Sequence, residues 1–116
     1  MNEHLTDSKS IYLQISEMIE TDILRGILLE EEQVPSTNEL ARQYTINPAT
    51  AAKGINLLVD EGILYKKRGI GMFVAAGARE KINAKRRKAF VDTHIGKLLA
   101  EARSLGITKE ELIAMI

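Results

Sequence analysis

Apolar residues along this chain change their spacing several times, and each change marks a join between elements. Ile11, Ile15, Met18, Ile19 and Ile23 recur at helical intervals, with Glu17, Glu20 and Asp22 off that face. They predict a first helix from about Ser10 to Arg25, stopped by Gly26, whose stripe is core. Leu40 and Ala41 mark a short second helix, Thr37 to about Gln43. Ala51, Ile55, Leu58 and Val59 mark a third, Pro48 to about Asp60, ended by Gly62. From Ile63 onward the pattern shortens to alternation. Ile63–Lys66 and Gly71–Val74 read as strands around a tip at Lys67–Ile70, with Leu64 or Tyr65 and Phe73 directed inward. Gln33 and Val34, behind the acidic loop Glu30–Glu32, read as a short strand paired with this hairpin. After the hinge Ala75–Ala78, helical spacing returns from Arg79 to about Ser104, interrupted at Gly96. Val91, Ile95, Leu98, Ala102 and Leu105 form a heptad-like stripe there. Gly106 ends it, and Leu112, Ile113 and Ile116 belong to a last helix.

The joins carry their own chemistry. Ser36 followed by Glu39 is a capping box, as is Thr108 followed by Glu111. Asn47 followed by Pro48 is an N-cap with proline at the first helical position. Only Tyr44 to Asn47 remain for the turn between the second and third helices. The fold class predicted is mainly α with a small β wing: a winged helix-turn-helix followed by two C-terminal helices. Helix, turn, helix and two-stranded wing is the order of a module that reads duplex DNA. In such a module the first turns of the third helix meet base edges. Ala49 can touch a thymine methyl, Thr50 can donate or accept, and Lys53 suits a phosphate or a guanine. At the wing, Lys67 and Arg68 supply charge, while Gly69 and Gly71 allow close backbone approach to a phosphate. Ser36, Thr37, Asn38 and Asn47, at the starts of the two helices, complete the candidate DNA-binding residues.

These motifs resemble the N-terminal domain of the GntR family of bacterial transcription regulators, whose pattern runs IYxQI, PSxxELA, NxxT and EGxIxxxxGxGxFV. This chain has Ile11–Ile15, Pro35–Ala41, Asn47–Thr50 and Glu61–Val74, with Leu64 in place of the wing isoleucine. The tail is short, like that of the YtrA-type subfamily, in which two C-terminal helices form a dimer. The resemblance implies a homodimeric repressor on an operator with two half-sites, with any small-molecule effector near the hinge and dimer helices. Val91, Ile95, Leu98, Ala102, Leu105, Leu112 and Ile116 are the expected dimer interface. The chain departs from the family at Asn38, Pro48 and Ala52, where many members have arginine. Bidentate guanine contacts are therefore fewer, and thymine methyls and groove shape gain weight.

The expected organisation is a disordered N-terminus at 1–8, a DNA-binding domain at 9–75 and a helical dimerisation region at 76–116. Charge supports that division. The 16 basic and 16 acidic residues cancel, but Met1–Glu61 carries −7, Lys66–Lys88 carries +8, and the rest −1. DNA responds to the local field of a face, so overall neutrality does not exclude it. The run Lys85–Lys88 reads as a solvated helical face or as one that pairs across a dimer.

Other chemistries lack a constellation. There is no cysteine, so disulfides and thiolate metal sites are excluded, and a reducing cytoplasm is the expected location. No signal peptide or membrane-spanning run is recognisable. His4 and His94 have no carboxylate or nucleophile at a useful spacing, so neither an enzyme nor a cofactor is expected. The Gly69–Gly71 pair lies between two strands, whereas a nucleotide-binding loop leads from a strand into a helix. The rival function is a winged-helix protein-interaction module that does not bind DNA.

Overall fold

The computed structural model describes residues 5–6 and 9–116. The chain divides into two compact units, residues 1–82 and 83–116. In the first, α1 spans Ile11–Leu24, α2 Thr37–Tyr44 and α3 Pro48–Asp60, followed by strands β1 (Leu64–Lys67) and β2 (Gly71–Val74). Helix α4 spans Ala78–Phe90. The expected disorder of residues 1–8 falls mostly outside the described residues, but Leu5 and Thr6 are held in place. Leu5 packs against the core, and the Gln14 amide accepts from the Thr6 N–H at 2.7 Å and donates to the Thr6 and Lys9 carbonyls.

The core forms where α1 crosses α3. Ile15, Ile19, Ile23, Leu40, Ala51, Ile55, Leu58, Ile63, Leu64 and Val74 are buried together, with Val59 only partly so. Gly54 makes the crossing close. A Cβ there would stand 2.7 Å from the Tyr12 carbonyl oxygen and 3.2 Å from Ile15. In the space left, the Ser16 hydroxyl donates to the Gly54 carbonyl at 2.6 Å. The polar residues of α1 do not all face solvent as their sequence spacing suggested: Ser16, Glu20 and Asp22 are buried. Helix α1 is enclosed around more of its circumference than its apolar stripe alone covers. No described buried side-chain nitrogen or oxygen lacks a hydrogen-bond partner, as the cost of an unpaired buried polar group requires.

The wing is an antiparallel pair with Leu64 opposite Val74, Tyr65 opposite Phe73, Lys66 opposite Met72 and Lys67 opposite Gly71. Gln33 bridges to Phe73 on the other edge, and Val34 donates to the Met72 carbonyl at 2.9 Å, as the short third strand required. This register corrects one expectation. Leu64 and Val74 are the buried pair, whereas Phe73 stacks with Tyr65 at 6.0 Å on the opposite face. A strand turns alternate residues to opposite sides, so once Val74 is buried Phe73 cannot be. Ala78 and Ile82, at the start of α4, are fully buried in the same core, so the first compact unit extends past the edge expected at residue 75.

In the second unit the helical run is not broken at Gly96. Five residues, Val91–Ile95, take π-helical form, and α5 (Gly96–Ser104) follows directly. A π segment widens the helix by one residue and shifts the faces beyond it, which regular spacing cannot foretell. Gly106, at φ 72°, turns the chain, and the Ile107 N–H returns to the Ala102 carbonyl at 2.9 Å. The Thr108–Glu111 capping box then opens α6 (Lys109–Met115).

Candidate nucleic-acid interface

Both helices of the helix-turn-helix start on side-chain caps. The Ser36 hydroxyl accepts from the Glu39 N–H at 3.1 Å, and the Glu39 carboxylate accepts from the Ser36 N–H at 3.0 Å. These bonds to Ser36 hold the Glu39 carboxyl below the usual carboxylate range. The Asn47 Oδ1 accepts from the Ala49 N–H at 2.8 Å, with Pro48 at the first helical position. Between them Thr45 takes φ 53° and ends α2, and the Ile46 N–H reaches the Ala41 carbonyl at 3.0 Å. A left-handed β-branched residue is strained. That geometry makes the turn tight enough for only three residues, 45–47, to separate α2 from α3.

The outward side of α3 carries Ala49, Lys53 and Asn56, all exposed, with Thr50 half-buried. Thr37 is half-buried and Asn38 exposed at the start of α2. The oxygens of Ser36 and Asn47 are already engaged as caps, so their first role is to fix the helix ends. The Lys53 ammonium lies 4.1 Å from the centre of the Tyr12 ring on α1. These two residues border an open groove of about 510 Å³ also lined by Ala49, Ala52, Asn56, Leu57 and Asp60. Sequence reasoning missed Tyr12, which only the close helix crossing at Gly54 brings to Lys53.

At the wing tip the Ile70 N–H donates to the Lys67 carbonyl at 2.9 Å. Gly69 adopts φ 77° with open space where a Cβ would be. Arg68 and Ile70 are exposed. Gly71 has a different constraint: φ is 149°, and a Cβ would meet the Gln33 side-chain nitrogen at 2.5 Å. That side chain donates to the Ile70 carbonyl at 3.1 Å, bracing the tip. The Lys67 ammonium lies 4.2 Å over the Phe73 ring. The Tyr65 hydroxyl donates to the Glu31 carboxylate, and that bond pushes the phenol above its ordinary range.

Several charges near the wing have local work. Glu30 accepts from the Gly77 N–H at 2.9 Å, and Glu32 from the Leu29 N–H at 2.6 Å. Arg79 donates to the Leu24 carbonyl at the end of α1, and Lys81 to the Gly62 carbonyl at 3.2 Å. Cations at helix C-termini complement the helix dipole. The basic segment therefore anchors α4 as well as raising the local potential.

In the second unit Val91, Leu98, Leu105 and Ile116 are exposed, Ile95 and Leu112 half-buried, and Ala102 buried. Phe90, Leu99, Ile113 and Met115 are also exposed. Lys88 pairs with Asp92 at 2.6 Å, and this hydrogen bond raises the Lys88 pKa. His94 packs against Phe90 with ring centres 5.3 Å apart; His4 lies outside the described residues. Among the described residues, no cluster of side chains could hold a metal ion, and no helix is long and apolar enough to cross a membrane.

Comparison with known proteins places this geometry. The model of the gntR family of bacterial regulatory proteins matches residues 11–74. The HTH-type transcriptional repressor YtrA of Bacillus subtilis is 29% identical over 105 residues, 90% of this chain and 80% of that protein. A solved GntR family transcriptional regulator from Listeria monocytogenes superposes with a TM-score of 0.74 at 30% identity, covering 96% of each chain. The DNA-binding domain of AraR, solved in complex with an operator, gives 0.56 at 34% identity, covering 65% of this chain and 92% of that one. Some curated relatives are longer, and this chain spans only 24% to 33% of their length. Nothing of their remaining segments carries over.

Proposed function

Because this chain belongs to the gntR family of bacterial regulatory proteins, we propose that it works as a homodimeric transcription repressor on a DNA operator with two half-sites. The observation that carries the reading is the capped, outward-facing start of α3, delivered by a tight turn from α2 and accompanied by a braced basic wing. Ala49, Thr50 and Lys53 contact base edges or phosphates in the major groove. Thr37 and Asn38 lie at the approach of α2 to the backbone, with Ser36 and Asn47 holding the helix ends against it. Lys67, Arg68 and Gly69 meet phosphates at the wing, and Gly71 acts by admitting the Gln33 brace.

The exposed apolar residues of the second unit support the dimer. Val91, Ile95, Leu98, Leu105, Leu112 and Ile116 need a partner surface, and twofold symmetry would match two half-sites. Ala102 is already covered within its own unit and contributes less. The cytoplasm is the location consistent with this function.

Titrating a mixed-sequence duplex with the chain at rising salt tests the DNA reading. Binding should weaken linearly on a log–log plot, as counterion release demands. Folded protein with no salt-dependent duplex binding would favour the protein-interaction alternative.

A further inference from the structure

We infer that Tyr12, on α1 and outside the helix-turn-helix proper, is a positioning residue for Lys53 and so makes the first helix part of the DNA-reading apparatus. The inference rests on the DNA-binding role proposed for Lys53. Lysine carries a flexible four-carbon stem with large rotamer freedom, so an unrestrained lysine gives a contact without fixed direction. Here its ammonium lies 4.1 Å from the Tyr12 ring centre. A cation over an aromatic face is attracted by the ring quadrupole, and of the three ammonium donors those not directed at the ring stay available to a third group.

The placement is built into the helix crossing. Gly54, next to Lys53, has no Cβ, and the Tyr12 carbonyl oxygen occupies that close approach. The Ser16 hydroxyl fixes the crossing by its 2.6 Å bond to the Gly54 carbonyl. The result is a groove in which Tyr12 forms one wall and Ala49, Lys53 and Asn56 the other. Ala49 and Lys53, both proposed to read DNA, therefore share a groove with an aromatic ring contributed by another helix. The ring holds the Lys53 ammonium in a single direction before DNA arrives, lowering the ordering cost of the contact.

The test combines Tyr12→Leu, Tyr12→Phe and Lys53→Met in a double-mutant cycle, with affinities for a selected duplex read by fluorescence anisotropy. Tyr12→Leu should weaken binding about two- to fivefold, the change expected from an exposed cation–π contact. Tyr12→Phe should retain wild-type affinity, and Tyr12→Leu should have no further effect once Lys53 is methionine. In the free wild-type protein, NMR should show the Lys53 ε-methylene protons shifted upfield by the ring, a readout that needs no variant to fold. Four results overturn the inference: no upfield shift, additive losses, Tyr12→Phe falling as far as Tyr12→Leu, or tighter binding by Tyr12→Leu. If Lys53→Met itself leaves affinity unchanged, the underlying role of Lys53 fails. If Lys53→Met weakens binding but the cycle is additive, only the role of Tyr12 fails.

Discussion

Gly54→Ala adds one methyl group where the fold has no room for it. The new Cβ would stand 2.7 Å from the Tyr12 carbonyl oxygen and 3.2 Å from the Cβ and Cγ2 of Ile15. The first neighbour is backbone and cannot rotate away, and Ile15 is fully buried. Helix α1 must therefore shift. Overpacking of this kind costs about 1–3 kcal/mol. The shift also strains the buried Ser16–Gly54 hydrogen bond, worth about 1 kcal/mol. Against these, alanine gains about 1 kcal/mol over glycine in helix propensity. The net expectation is a loss of about 1–3 kcal/mol, read from urea unfolding followed by circular dichroism. Ser16→Ala, which removes the bond without the clash, should cost about 1 kcal/mol. If Gly54→Ala were as stable as the parent, the close crossing of α1 and α3 would not be the constraint argued above.

Four further outcomes are expected. Thr45→Gly should stabilise the fold by about 0.5–1 kcal/mol, since relief of left-handed strain exceeds the added freedom of the unfolded chain; thermal melts that show a loss would refute the strain. Replacing Lys67 and Arg68 with alanine should lower the log–log salt slope by about 0.9 per lost phosphate contact, and an unchanged slope in folded protein would remove the wing from the interface. Charged residues at Ile95 and Leu98 should give a folded monomer by sedimentation, whereas a variant that stays dimeric would assign those side chains elsewhere. Because the folded state lowers the Glu39 pKa, its contribution is complete above the ordinary carboxylate value and is lost as pH falls through the folded value. Glu39→Gln should therefore remove part of the loss of stability on acidification, and identical pH profiles would exclude that role.

The parts of the fold legible in the sequence were those fixed by local chemistry. Ser36 with Glu39, Asn47 with Pro48, and Thr108 with Glu111 each specify a helix start within a few residues, and all three caps are present. Apart from the pairing of Gln33 and Val34 with the wing, features that depend on distant partners were not legible. Phe73 faces outward because Val74 is claimed by the core, and Gly71 is small because Gln33 crosses it. The side chains of Glu30 and Glu31 bond to Gly77 and Tyr65, far along the chain. The π segment before Gly96 leaves no mark in a stripe read at regular spacing. At the candidate interface, Lys53 could be named from its helical position. Tyr12 could not, because only the crossing at Gly54 brings it within reach.

Selection of duplexes from a random library by the full chain, followed by sequencing of the bound pool, tests the central claim most directly. The bound pool is expected to converge on a twofold-symmetric sequence whose half-site centres lie about 10 base pairs, or a multiple, apart. On that sequence Thr50→Ala should cost on the order of 1–3 kcal/mol, with a smaller loss on random duplexes. A bound pool no different from the starting library, obtained with folded protein, would contradict sequence reading by α3.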